Sequence, residues 1–386
     1  MDAGAACLLE QWPRGTPLLA TLFTVLIWIF AGLLAAVTLL PLSAAQAWWV
    51  RMWDFPRVHI AAGFALLAVL ALFMPGVQRL ILLALALAVA AYQVWRIRPY
   101  TPLARHEMDF APDSADAVTL FTANVLMENT DHARLIALIE RTDPDVVFLM
   151  ETDAAWLRAL EPVLARYPSV LREPRDDYYG LVFATRLEMA EGQVVYLTPD
   201  ETPSVLAQLK APDGRAFRFV GLHPQPPVPG QDTEERDAQI TYAARFARAT
   251  GLPVVAMGDF NEAAWSDRAQ HFKRVGGYVD PRIGRGLFAS FNANHPMIRC
   301  PIDQIYVTGE VAMVAFELLE RFGSDHLALR ARIRLDPDLA ARLNRTPPPP
   351  DPEEEARLDG IVTAYGRSLE AGRKSRQHPQ ETTTRG

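Results

Sequence analysis

Residues Leu18 to Leu42 read LLATLFTVLIWIFAGLLAAVTLLPL, a run without a single charge. At about 1.5 Å per helical residue such a run outreaches a hydrocarbon core of about 30 Å. This excludes an ordinary one-piece soluble fold. A cleaved signal sequence fits less well, because the apolar run is too long, no basic cluster precedes it, and two further apolar runs follow. Those runs are Val58 to Met74 and Leu80 to about Arg96, separated by Pro75 to Arg79. Stretches such as LILLALALAVAA are apolar on every face, whereas a soluble helix keeps a polar stripe. Residues 1–98 therefore read as a membrane region of three transmembrane helices, about 18–42, 58–74 and 80–96.

Three spans would place the N-terminus and the remainder of the chain on opposite sides. Arg51, Arg57, Arg96, Arg98 and Arg105 lie on one side against Arg14 and Arg79 on the other, which places the C-terminal part in the cytoplasm. A multi-pass protein of a bacterial inner membrane is the resulting expectation. Trp48, Trp49, Trp53, Tyr92, Trp95 and Tyr100 gather at the same face, as an interfacial aromatic belt would. A Pro- and Asp-containing linker, 99–116, leads to a segment of different rhythm.

From 117 to 335, runs such as VTLFTANVL, DVVFLME, YGLVFAT, FRFVGLH, PVVAMGDF, IDQIYVTG and HLALRARI alternate with helical stretches at Ala133–Arg141 and Glu234–Ala249. This is an α/β or α+β domain. Residues 336–386 begin a Pro- and acid-rich tail (RTPPPPDPEEE) with one weak amphipathic stretch, expected to be largely disordered. Residues 106–335 hold 23 Lys and Arg against 33 Asp and Glu. That surplus argues against long duplex nucleic acid, whose phosphates call for clustered cations, although Arg172 with Arg175, or Arg282 with Arg285, could form a local patch. Cys7 and Cys300 are the only cysteines, too few for a disulfide framework or a thiolate metal site.

Polar residues capable of chemistry stand at the ends of the predicted strands. Met257-Gly258-Asp259-Phe260-Asn261 delivers a carboxylate and an amide at one strand mouth, suited to a metal-bound phosphate or its attacking water, though turns use the same residues. Ser324-Asp325-His326 opens HLALRARI about twenty residues after Pro301-Ile302-Asp303-Gln304. An imidazole there could accept a proton from water while a carboxylate fixes its tautomer. Asn124 and Glu151 end two early strands and offer hard oxygen donors of the kind Mg²⁺ takes, and His223 ends FRFVGLH. Singly, each is equally at home as a cap or a strand-end residue.

In this order, an Asn after the first strand, the Glu of LMET, a strand-end His, GDFN, IDQIYV and SDH, the residues resemble the endonuclease/exonuclease/phosphatase superfamily, the deoxyribonuclease-I-like fold, over about 117–334. The N-terminal region further resembles the membrane-anchored bacterial members, whose Trp-rich loop ends as Asp54-Phe55-Pro56-Arg57 does. The resemblance implies an α+β, four-layer sandwich of two central β-sheets flanked by helices. It also implies a phosphoester hydrolase using Mg²⁺ or Mn²⁺. By that likeness Glu151 holds the metal with Asn124 near it and Asp325 completing its environment. Asp259 orients the attacking water, and Asn261 and His223 steady the phosphoryl oxygens. His326 acts as base or as donor to the phosphate, oriented by Asp303. Ala184 and Gln304 depart from common family residues and weaken substrate inference only.

The expected partners are a phosphoester (lipid head group, nucleotide or nucleic acid) and the bilayer; no obligate protein partner is inferred. A nuclease acting on DNA or RNA is the alternative enzyme. A catalytically silent membrane-bound interaction module is the alternative outside enzymes, and it would be signalled by loss of Asp259, Glu151 or His326, all of which are present.

Overall fold

The structure, a computed structural model, describes residues 17–43, 45, 47–197, 202–226, 242–245, 251–347 and 351–377. The chain divides into two compact units: residues 1–45 with 56–96, and residues 46–55 with 97–386.

The first unit contains α1 (Pro17–Leu39), α2 (Arg57–Ala71) and α3 (Gly76–Ile97). Its interior holds Ile27, Ala31, Ile60, Phe64, Leu67, Leu82 and Ala86, while Leu18, Leu33, Phe73, Leu80 and other large apolar side chains face outward. Two helices, Leu18–Leu42 and Gly76–Tyr100, are long and apolar enough to cross a membrane. The expectation of three spans is corrected here. The run at 58–74 yields a helix of 15 residues, about 22 Å at the α-helical rise and short of the core thickness, because Pro56 precedes it and a turn closes it after Ala71. It would count as a span only if the separate helical piece before Pro56 were joined to it. The assignment of the domain to the cytoplasm rested on an odd number of spans and loses that premise.

In the second unit, two mixed six-stranded sheets are flanked by helices. Sheet one comprises β1 (Val118–Asn124), β2 (Val146–Met150), β3 (Ser169–Glu173), β4 (Leu181–Thr185), β11 (Ala312–Leu318) and β12 (Leu329–Arg334), in the order β11-β12-β1-β2-β4-β3. Sheet two comprises β5 (Glu188–Tyr196), β6 (Pro203–Lys210), β7 (Ala216–Leu222), β8 (Val254–Asp259), β9 (Tyr278–Val279) and β10 (Asp303–Thr308), in the order β5-β6-β7-β8-β10-β9. Among the described residues, only β1 with β2 and β7 with β8 run parallel.

Successive strand residues face opposite sides of a sheet, and these strands are buried on both. Val118 and Leu120 of β1, Val146, Phe148 and Met150 of β2, Val255 and Met257 of β8, and Ile305 and Val307 of β10 meet in the core between the sheets. The alternate residues of sheet one, Phe121, Ala123, Val147 and Leu149, meet α4 (His132–Thr142) and α5 (Ala154–Leu164) through Leu135, Leu138, Trp156 and Leu160. On the far side, Val220, Ala256 and Tyr306 meet Phe272 and Val275 of α6 (Asp267–Gly276). The layers are thus helix, sheet, sheet, helix. The helix expected at 234–249 lies outside the described residues except for 242–245, which are helical.

Two boundaries read from composition change. The linker 99–116 is packed into the domain: Tyr100 is buried and donates to the Ala264 carbonyl at 2.7 Å, Glu107 pairs with Lys273 at 2.6 Å, and Met108 is fully buried. The tail expected to be disordered forms α7 (Pro337–Leu343) and α8 (Pro352–Gln377). Asp351 caps α8 by accepting the Glu353 and Glu354 amides, three glutamates fill its first turn, and Leu358 and Tyr365, seven residues apart on one face, are buried against the sheet-two helices. The weak amphipathic stretch read in the tail is thus a capped helix.

Candidate active site

Strand parity selects which polar side chains enter the gap between the sheets. Asn124 shares parity with Val118 and Leu120, Asp259 with Val255 and Met257, and Asp303 with Ile305 and Val307, so each continues an inward-facing row at its strand end. Asp303 and Asp259 are direct partners across the antiparallel β10–β8 pair. Glu151 has the opposite parity on β2. There the pairing stops at Met150, and Glu151 adopts φ 60°, a left-handed conformation that side-chain-bearing residues rarely take. Gly258, at φ 146°, has no room for a side chain, since a Cβ would run into the Leu222 carbonyl of the neighbouring strand.

These placements produce a buried, hydrogen-bonded cluster. Asn124 donates through Nδ2 to Glu151 Oε1 at 2.7 Å and to Asp259 Oδ2 at 3.2 Å, joining the two sheets. Its Oδ1 accepts the Leu126 amide at 3.1 Å, so its NH₂ rather than its oxygen faces the carboxylates. Glu151 also accepts the Met127 amide. Asp259 Oδ1 accepts the Asn261 amide at 2.8 Å, and Asn261, itself at φ 50°, donates through Nδ2 to the Pro224 carbonyl at 2.9 Å. His326 Nδ1 lies 2.8 Å from Asp303 Oδ2, while its Nε2 lies 3.7 Å from Asp259 Oδ2; His223 Nε2 lies 3.9 Å from the same oxygen. Ser324 ties the ends together, donating to the Asn124 carbonyl and accepting the His326 amide. Asp325 is half-buried beside this group; its backbone carbonyl accepts the Ala293 amide and its charge acts on His326.

Electrostatics follows from crowding charge where water is scarce. Burial pushes Glu151 up to about 7, against the Asn124 hydrogen bond that favours the carboxylate, and Asp259 adds to the rise. Burial opposes charge on His326, but the combined attraction of Asp303 and Asp259 outweighs it and lifts the imidazole to about 10. His223 is pushed below its ordinary value by burial, against the attraction of Asp259. The charges acting most strongly on Glu151, Asp303, His223 and His326 are those of Asp259, Asp303, Asp325 and His326, with no Lys or Arg among them.

An excess of buried carboxylate is the environment a hard divalent cation relieves, and the donors present are oxygen-rich and thiolate-free. Asp303 Oδ1 and His223 Nδ1 are buried without a hydrogen-bond partner among the described residues, which leaves atoms for a ligand. The residues therefore fit a metal. Asp259, Asp303 and His326 bring ligand atoms within 4.8 Å of one another. Glu151 stands next to this group, its carboxylate joined to Asp259 through Asn124.

Three contacting residues carried no signal of their own in the sequence. Ser290 Oγ accepts the Asp303 amide at 3.2 Å, Phe291 lies against the His326 ring at 4.8 Å, and Tyr179 lies against His223 at 5.5 Å. Each comes from a loop whose position only the fold sets. The arginines expected to form a patch are otherwise engaged: Arg172 with Glu161, Arg175 with Asp177, Arg282 fully buried on Asp280, and Arg285 on the Met108 carbonyl.

The sequence model of the Endonuclease/Exonuclease/phosphatase family matches residues 121–326, more than half of the chain. No curated protein matches the sequence. Among solved structures, the chain is similar to D. rerio TDP2 complexed with single-strand DNA product, at 20% identity over 57% of this chain and 100% of that one, with a TM-score of 0.47. It is similar to an endonuclease/exonuclease/phosphatase from Bacteroides vulgatus, at 20% identity over 57% and 99%, with a TM-score of 0.48. The catalytic domain of human Nocturnin with bound sulfate is similar at 16% identity over 60% and 98%, with a TM-score of 0.48.

Proposed function

We propose that this chain, which belongs to the endonuclease/exonuclease/phosphatase family, is a membrane-anchored hydrolase of phosphoesters that depends on a divalent metal. The observation that carries this reading is the pairing of His326 with Asp303 at 2.8 Å beside two carboxylates, half-buried Glu151 and buried Asp259, bridged by Asn124.

An oxygen-preferring ion, Mg²⁺ or Mn²⁺, bound at Glu151 with Asp325 completing its surroundings, would supply the positive charge that offsets a phosphate's repulsion of its nucleophile. Asn124 holds the Glu151 carboxylate in place through its NH₂. Asp259 accepts a hydrogen bond from the attacking water and orients it. Asp303 fixes the His326 tautomer with the proton on Nδ1, and the raised affinity of His326 for a second proton favours the imidazolium, which donates from Nε2 to a phosphoryl or leaving oxygen. His223 and the Asn261 side-chain amide contribute further donors.

The domain's acidity and the engaged arginines favour small or lipid-borne phosphoesters over long nucleic acid. The test is hydrolysis of bis-p-nitrophenyl phosphate and p-nitrophenyl phosphate by the detergent-solubilised full chain with Mg²⁺ or Mn²⁺. Turnover of either that disappears on His326→Ala supports the reading, and hydrolysis of neither refutes it.

A further inference from the structure

Beside the site, residues 291–300 form a loop closed at its root and open at its tip. Phe291 and Cys300 pair through their backbones, the Ala293 amide donates to the Asp325 carbonyl at 2.6 Å, Arg299 donates to the Ala293 carbonyl at 3.0 Å, and Arg321 donates to Asn294. The tip, a 3₁₀ turn at Pro296–Ile298, holds Met297 at 85% exposure and Ile298 at 57%. Adjacent large apolar side chains held this far into solvent by a braced loop are a poor choice for a purely aqueous surface.

The surroundings indicate what covers them. Residues 291–300 contain no Asp or Glu, while His295, Arg299 and the bracing Arg321 supply basic groups in a domain that is otherwise acidic. An apolar tip above basic side chains matches the boundary between acyl chains and anionic head groups. The same chain carries two helices apolar enough to span a bilayer, the second ending at Tyr100, with residues 101–117 between it and β1 at Val118. At the root, Phe291 touches the His326 ring.

Building on the phosphoesterase reading, we infer that Met297 and Ile298 insert into the bilayer surface and present the site to a phosphoester carried by a lipid. The experiment reconstitutes the full chain, with Cys7→Ser, in phosphatidylcholine–phosphatidylglycerol vesicles containing nitroxide-labelled lipid. A bimane probe is placed at Met297→Cys or, as a control, at Glu310→Cys in the turn after β10, at the opposite end of that strand from Asp303. Lipid nitroxide should quench the 297 probe severalfold more than the 310 probe, and aqueous iodide should do the reverse. Equal quenching at the two positions overturns the proposal. Shielding of the 297 probe from iodide without quenching by lipid also overturns it and points to a second copy as the occupant.

In parallel, Met297→Asp with Ile298→Asp should lower turnover of a vesicle-borne phosphoester by on the order of tenfold or more. Soluble p-nitrophenyl ester turnover should stay within about twofold, and Met297→Leu with Ile298→Leu should restore the vesicle rate. Equal losses on both substrates would refute the role. If neither ester is cleaved, the phosphoesterase reading fails, and the quenching result still decides insertion.

Discussion

The two units bury polar groups in opposite settings. In the helical unit the outside is apolar, and the inside holds a short polar chain: Arg57 Nη1 donates to Gln93 Oε1 at 3.0 Å, Gln93 Nε2 to Thr38 Oγ1 at 3.0 Å, and Thr38 Oγ1 to the Leu34 carbonyl at 2.8 Å. In the sandwich the buried polar groups at the strand ends keep unpartnered atoms, Oδ1 of Asp303 and Nδ1 of His223, amid mutually repelling carboxylates. Hydrogen bonds of that kind fix one helix against another, whereas carboxylates crowded together and unbalanced in charge are the state of a site awaiting its ligand. The contrast predicts that perturbing the first unit changes stability and perturbing the second changes chemistry.

The widest break should come from removing the ion. Thorough EDTA treatment should abolish p-nitrophenyl ester turnover, and Mg²⁺ or Mn²⁺ should restore it; turnover that survives chelation removes the metal from the account. Next, His326→Ala should lower kcat by roughly 10²–10⁴-fold, the range for a positioned proton donor or acceptor. Asp303→Ala should cost less alone and little more in the His326→Ala background, because the two act through one hydrogen bond. Fully additive losses would separate them.

Glu151→Gln should raise the metal concentration needed for half activity by about tenfold or more, since it removes the charge that anchors the ion. An unchanged metal dependence would move the anchor elsewhere. In EDTA-treated protein, His326 contributes stability through a raised affinity for its proton. That contribution is fully present below about pH 6.5, the unfolded value, and is lost as pH rises through about 10. Thermal melting across that window should flatten in His326→Gln.

On the helical side, Gln93→Leu leaves Arg57 and Thr38 without that partner and should cost about 1–3 kcal/mol. The loss should appear as a lower melting temperature in detergent, with soluble-ester turnover within about twofold. A large kinetic effect would erase the distinction between the units. The smallest effect belongs to Cys300→Ser, which should leave metal dependence unchanged, because the buried thiol faces the Phe55 carbonyl and not the carboxylate cluster.

The sequence by itself determined the apolar character of residues 18–42, the strand runs, and the placement of Asn124, Glu151, His223, Asp259, Asp303 and His326 at or near strand ends. Periodicity and strand-end chemistry are encoded over a few neighbouring residues and survive being read one segment at a time. The third span, the linker and the disordered tail were misread for the same reason: composition records what a segment is made of, while a helix's length, or the burial of Tyr100 and Leu358, depends on where breaks and partners fall. Only the tertiary structure decided that Asn124 meets Asp259 across 135 residues of chain, that its NH₂ rather than its oxygen faces the carboxylates, and that Glu151 turns at φ 60° to join them. It also set Phe291 on His326 and lifted Met297 into solvent. Those contacts join two sheets with no shared strand, so their geometry is fixed by how the inward rows of each sheet interlock, a property of the packed core that no short stretch of sequence carries.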